Sequence, residues 1–161
     1  MEIDIRKYQD TDLTQMLIIW NNIIENADAF PQMDILNEKE AKSFFKDQTY
    51  TGIAVLDNQV VGLYILHPNN IGRCGHIANA SYGVHEKYRG FGIGEKLVRH
   101  SMKIGKICGF SLLQFNAVVS SNTSAIYLYD KIGFHRVGTI PNGFLLGNEK
   151  FEEIIIYYIE L

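Results

Sequence analysis

Residues 84–98 read VHEKYRGFGIGEKLV, and directly after Arg89 glycine takes every second position, at Gly90, Gly92 and Gly94. Glycine loses more chain entropy on ordering than any other residue, so such a run weakens any regular element that contains it. The chain must therefore use it as a turn. The preceding GHIANASYGV reads as a strand, and Ile93, Leu97, Ile104 and Cys108 follow along one side of a helix predicted from about Gly92 to Cys108, with Gly109 as its C-terminal cap. A strand, a glycine turn and a helix in that order form the unit to which everything else must attach.

On the N-terminal side, EIDIRKY predicts a first strand. A helix follows, with Asp10 or Thr11 as cap and Leu13, Leu17, Trp20, Ile24 and Ala27 on one face. A shorter helix spans Asn37 to Lys46, where Asn37 and Glu40 have capping-box spacing. TGIAVLD and QVVGLYILH form a hairpin pair around Asn58, and a turn at Asn69, Asn70 and Gly72 leads to the strand before the glycines. SLLQFNAVV is nearly continuously apolar, as expected of a strand buried on both faces. Ser121 or Asn122 opens another helix through Lys131, stopped by Gly133, and strands near Phe134 to Ile140 and Phe151 to Glu160 finish the chain.

The order β-α-α-β-β-β-α-β-α-β-β predicts an α/β fold with a mixed sheet, antiparallel through its hairpins, and one parallel pair where a helix crosses between GHIANASYGV and SLLQFNAVV. With 161 residues, the expectation is one domain over 1–161. A net charge of only -3 argues against a nucleic-acid binder. No apolar run approaches the roughly 20 residues that cross a bilayer, and the start lacks a signal-peptide pattern, so the expected location is the cytoplasm. Cys74 and Cys108 stand far apart without CxxC or a His pair, which predicts two buried free thiols and no metal site.

A strand-to-helix glycine turn aims backbone N–H groups and the positive end of a helix dipole at an anion. Spacing separates the phosphate loops: GxxxxGK[ST] is absent, and GxGxxG fails because no glycine stands at Glu95 or Leu97. Arg89-x-x-Gly92-x-Gly94 remains, followed by Asn122-x-x-Ala125-x-x-Leu128-Tyr129 and Gly133-Phe134. In these motifs, and in element order over essentially the whole chain, the sequence resembles the GCN5-related N-acetyltransferase (GNAT) family. Val137-Gly138 is similar to its small-molecule branch, which includes phosphinothricin acetyltransferases.

The resemblance implies a mostly antiparallel sheet of six to seven strands, flanked by about four helices, whose parallel pair splays at the cofactor. It implies acetyl-coenzyme A as cosubstrate, no metal, and direct attack by a primary or secondary amine in a ternary complex. The amides around Arg89, Gly90, Phe91, Gly92, Ile93 and Gly94 would hold the pyrophosphate. The main chain at Tyr82, Gly83 and Val84 would pair with the pantetheine arm, with a bulge at Gly83 and an oxyanion donor near Val84. Asn122 would touch the cofactor, and Tyr129 would give a proton to the leaving thiolate, although Tyr129 also fits a packed helix face.

Many family members carry a glutamate base on the strand before the glycines, and His76-Ile77-Ala78-Asn79-Ala80-Ser81-Tyr82 has none. Asn79 and Asn116 lie on the parallel strands, where they could orient the substrate or bond each other; their pairing resembles proline-analogue acetyltransferases. His76 or Glu86 could act through water or be merely solvated. An amine of pKa about 10.4 is neutral about once in 2,500 molecules at pH 7, and an α-amine near 8 about once in ten. The missing base therefore favours an α-amine or another less basic amine, and the resemblance of the Asn79 and Asn116 pairing implies a small, amino-acid-like one. Substrate choice is expected from the helix pair near Trp20 to Phe45 and the loop Pro141 to Asn148, with Trp20, Phe30, Phe44 and Phe144 as pocket or core residues. Acetylation of protein amines and a coenzyme A sensor without turnover are the competing readings. The apolar last strand could join a homodimer interface or lie inside the sheet.

Overall fold

The computed structural model describes residues 2–161. Its elements are β1 (Asp4–Lys7), α1 (Leu13–Asn26), α2 (Glu38–Lys46), β2 (Tyr50–Leu56), β3 (Gln59–Pro68), β4 (Ile77–Val84), α3 (Ile93–Ile107), β5 (Leu112–Val119), α4 (Thr123–Ile132), β6 (His135–Leu145) and β7 (Phe151–Glu160). The strands form one sheet in the order β1-β2-β3-β4-β5-β7-β6. Every neighbouring pair is antiparallel except β4 and β5, whose parallel pairing is confined to Ile77 with Leu112 and Ala78 with Leu113. Beyond those residues the two strands part, and the sheet carries a fork.

Local chemistry accounts for the elements. Asp57 and Asn58 both take positive φ, 48° and 63°, the conformation that lets a two-residue turn follow the twist of β2 and β3. Asn37 Oδ1 accepts the Glu40 N–H at 2.9 Å while Glu40 accepts the Asn37 N–H at 2.9 Å, the expected capping box of α2. The entry to α1 is different from expectation. A 3-10 turn over Asp10–Asp12 precedes the helix, and Asp12 accepts two bonds from Arg6, at 2.8 and 2.9 Å, and the Gln9 N–H at 2.7 Å. The helix buries Met16, Ile19, Trp20, Ile23 and Ile24 against the sheet, while Leu13 and Leu17 sit at the margin.

Two core layers flank the sheet. Under α3 and α4 lie Tyr64, Leu66, Ala78, Leu97, Leu113 and Tyr157, among others. Under α1 and α2 lie Ile53, Leu63 and Ile65 with Trp20 and Phe45. Trp20 is completely buried, with ring centroids of Phe30, Phe44 and Phe45 at 4.5, 5.1 and 5.5 Å, so it is core and lines no substrate pocket.

Three other expectations need correction. Cys74 and Cys108 are exposed, because one sits in a surface turn and the other caps the end of α3 beyond its buried face. β5 is not buried on both faces: Asn116 is exposed where β4 has left its side. The loop expected at Pro141 to Asn148 is mostly strand, since β6 continues to Leu145 with an irregularity between Ile140 and Phe144. Pro141 lacks an N–H for a ladder, and an irregular edge strand accommodates it. Among the described residues, no helix is long and apolar enough to cross a membrane.

Candidate functional site

At the exit of β4 a 3-10 turn over Glu86–Tyr88 leads to Arg89, and Gly90 and Gly92 then take φ of 84° and 76°. No atom lies within 4 Å of a Cβ built on either, so left-handed backbone, not crowding, is what demands glycine there. A Cβ at Gly94 would meet only Leu128, at 3.5 Å, and would project toward α4. The first bond of α3 runs from Lys96 N–H to Gly92 O at 3.2 Å, and no side chain caps the helix, in contrast to the Asn caps of α2 and α4. The N–H groups ahead of Lys96 have no helical partner. Glu95, a carboxylate in this first turn, is bonded by Lys131 at 2.7 Å and Arg99 at 2.9 Å; these partners hold its carboxyl below the usual range. The turn thus presents bare amides with the carboxylate of the helix's first turn paired, a cradle suited to a phosphate.

The β3–β4 register decides which backbone groups face the fork. His85 N–H bonds Val61 O at 2.9 Å and Asn69 N–H bonds Ile77 O at 2.7 Å, so the odd-numbered residues of β4 pair with β3. Those of Ala80, Tyr82 and Val84 turn into the fork. The main chain of Tyr82 and Val84 faces the fork, whereas the backbone of Gly83 is used by β3. Nor is there a bulge at Gly83: its register with Leu63 is regular, and its glycine is required because a Cβ would lie 2.7 Å from Ile23 Cδ1 of α1. The Tyr82 side chain is structural, its hydroxyl 2.7 Å from Ser101 Oγ beneath α3.

Tyr129 lies on α4 among Phe115, Phe134 and Tyr157, with ring centroids at 4.5, 5.4 and 5.7 Å. Its hydroxyl has no hydrogen-bond partner among the described residues and is not among the sealed polar atoms. Burial pushes the phenol well above its ordinary pKa. Asn122 caps α4, its Oδ1 accepting the Ala125 N–H at 3.3 Å. Only its Nδ2 is left to reach a ligand.

Asn79 and Asn116 meet through Asn69, a residue of the turn between β3 and β4. Asn69 Oδ1 accepts both carboxamides, at 3.2 Å from Asn79 and 2.7 Å from Asn116, and Gln114 donates to Asn116 Oδ1 at 3.0 Å. Alternation along β5 puts Phe115 on the α4 face with Tyr129 and Asn116 on the α1 face. The candidate residues therefore lie on opposite faces of the sheet and communicate through the fork. His76 sits at the far end, where its carbonyl accepts the Ser111 N–H, and Glu86 is exposed beside a cavity of ≈ 50 Å³ near Ile18, Asn22 and Val84. β4 and β5 contain no acidic or basic side chain at all. Among the described residues, no group of His, Cys, Asp or Glu could hold a metal ion.

This arrangement, with a bare-amide helix start opening on a fork in a mixed sheet, agrees with what sequence comparison finds. The chain belongs to the acetyltransferase (GNAT) family, whose model matches residues 14–134. It is similar to the N-acetyltransferase aca1 of Schizosaccharomyces pombe, 33% identical over 99 residues that cover 61% of this chain and 47% of that one. The chain thus spans about half the length of that relative. An N-alpha-acetyltransferase of Sulfurisphaera tokodaii is 30% identical over 162 residues, covering 93% of this chain and 90% of its own. In fold it resembles a phosphinothricin acetyltransferase from Sinorhizobium meliloti solved with acetyl-coenzyme A, with a TM-score of 0.92, 18% identity, and coverage of 100% and 89%.

Proposed function

We propose that this chain is an acetyl-coenzyme A-dependent N-acetyltransferase whose acceptor is a small, amino-acid-like amine entering from the α1 face. The observation that carries it is the fork, which joins an uncapped helix start on one side to a carboxamide cluster on the other. Acetyl-coenzyme A supplies the activated acetyl thioester. The N–H groups ahead of Lys96, helped by Arg89, bind its pyrophosphate, and the fork-facing main chain of Tyr82 and Val84 aligns its arm. The Val84 N–H is the oxyanion donor. Asn79 and Asn116, held by Asn69, orient the amine and supply no base.

Tyr129 holds a proton on its Oη at the far side. A thiol ordinarily titrates near 8.5, well below a buried phenol, so full transfer to sulfur is uphill, and each pKa unit costs about 1.4 kcal/mol. Tyr129 acts as a hydrogen-bond donor and relay; the proton the amine gives up on forming the amide is the one the thiol gains. The absence of acidic and basic side chains from β4 and β5 favours an amine that is partly neutral at pH 7, an α-amine above all.

A second reading takes the N-terminal α-amine of a peptide, favoured by the name of the Sulfurisphaera tokodaii relative. Free-thiol release from acetyl-coenzyme A, followed with amino-acid amides, polyamines and short peptides, tests both. Acceleration by amino-acid amides is expected. Acceleration by peptides alone supports the second reading, and binding without acceleration by any amine supports a sensor.

A further inference from the structure

α4 carries Tyr129, yet none of its 10 residues is fully buried. The Tyr129 hydroxyl has no hydrogen bond of its own among the described residues. Its aim is therefore set by what packs against the ring and by what ties the helix down. Behind the ring, the Tyr129 carbonyl accepts the N–H of Gly133 at 3.1 Å and of Phe134 at 3.0 Å, and Gly133, at φ 105°, turns the chain into β6. There Arg136 lies directly beside Tyr157 of β7, which on its other side lies beside Phe115 of β5. Tyr157 is completely buried, and its ring stands at 65° to that of Tyr129. The Tyr157 hydroxyl donates at 3.2 Å to Oδ1 of Asp130, the residue next to Tyr129 on α4. Arg136 closes the circuit: its Nε donates to the same oxygen at 3.2 Å, an Nη donates to Oδ2, and the guanidinium lies 5.7 Å from the Tyr157 ring centroid.

Packing alone does not ask for this circuit. A phenylalanine at 157 would fill the same space and need no partner, whereas a buried phenol needs one. It finds that partner in the carboxylate beside Tyr129. The side chains of Arg136 and Asp130 are 51% and 42% exposed, and an ion pair so exposed adds little to stability. What the pair does is geometric: held through both oxygens, Asp130 has a fixed orientation, and Tyr157 cannot turn without breaking its bond to it. We propose that Asp130, Arg136 and Tyr157 are positioning residues that hold the ring of Tyr129, and so its Oη, where the leaving sulfur requires a hydrogen bond. They act through Tyr129. The inference rests on the acetyl-transfer reading and on the donor role of Tyr129, and adds the support that such a role requires.

The measurement is kcat and both KM values by thiol release from acetyl-coenzyme A, with alaninamide as acceptor, or trialanine if only peptides are acetylated. Arg136→Met removes the guanidinium and should lower kcat about three- to tenfold, inside the roughly hundredfold that a misplacement of about 1 Å costs. Each KM should stay within about twofold and Tm within about 3 °C of wild type. Arg136→Lys, which keeps a charge near Asp130, should recover part of the rate, and Tyr157→Phe, which keeps the ring, should lose about threefold. The deciding readout is the Tyr129→Phe background, where Arg136→Met should change kcat by less than about twofold, because the group being aimed is gone. If Arg136→Met does not fold, Asp130→Asn takes its place with the same expectation. An unmoved kcat in the folded variant, or an equal loss in both backgrounds, overturns the positioning role alone. Tyr129→Phe as fast as wild type overturns it too and leaves acetyl transfer standing. A wild type that binds acetyl-coenzyme A and acetylates neither acceptor overturns the acetyl-transfer reading, and the positioning role with it.

Discussion

Packed between Phe115, Phe134 and Tyr157, the Tyr129 phenol keeps its proton through the range in which an α-amine titrates. Because burial raises its pKa, the neutral form is present below the ordinary tyrosine range and above it. The rate should rise with pH as the amine loses its proton and show no descending limb from Tyr129 up to about pH 10. Tyr129→Phe keeps the ring and removes the donor, so kcat should fall about 10- to 100-fold with the KM for acetyl-coenzyme A little changed. Equal kcat values would make Tyr129 a packing residue. Among single residues, a contiguous motif makes candidates easy to single out: Arg89, Gly92, Gly94, Asn122 and Tyr129 stand at the spacings of the family resemblance. Asn69 was not legible in this way, because its partners Asn79 and Asn116 lie 10 and 47 positions away and only the fold brings them together. Gly83 was noticed for the wrong reason, since what it accommodates is a helix from a distant part of the chain.

At the level of elements, the helix starts differ: neither α1 nor α3 has a side-chain cap, and only α3 starts on a glycine. α2 and α4 each start on an Asn whose side chain accepts a main-chain N–H, and α3 starts on Gly92 with none. Gly92→Val would place a β-branched residue at φ 76°, where L side chains are strained by about 1–2 kcal/mol. Its expected outcome is a modest loss of thermal stability with acetyl-coenzyme A binding at least tenfold weaker by calorimetry; unchanged affinity would count against the phosphate cradle. Element types and their order could be read from hydrophobic period and turn chemistry. The ends could not. β6 runs past Pro141 because an irregular register absorbs the proline, and α1 begins only at Leu13 because Arg6 and Gln9 secure Asp12 in a turn ahead of it. Both outcomes depend on partners outside the local window.

The whole molecule is two partial sheets, β1-β2-β3-β4 and β5-β7-β6, joined by two parallel register pairs and spanned by the helices. Under the proposed function, acetyl-coenzyme A in the fork would bond to both halves and to nothing in the unfolded chain. At a hundredfold excess over Kd it should add about 2.7 kcal/mol, and for a domain of this size raise Tm by about 5–10 °C. Thermal melts with and without acetyl-coenzyme A measure this, and an unmoved Tm would argue that the cosubstrate does not bridge the halves. That the parallel pair would open so early was implied by the family resemblance and not by the strands' own residues, which look equally able to pair along their length.

That early parting also creates strand edges in the interior of a sheet. Elsewhere such edges invite another chain to add itself as a strand, the first step of aggregation. Here α3 and α4 cover one face and α1 packs against the other, so the helices themselves keep neighbouring chains from zipping into the fork. The sheet's outer edges are β1, which is only 4 residues long, and β6, where Arg136, Pro141 and the broken register discourage the same pairing.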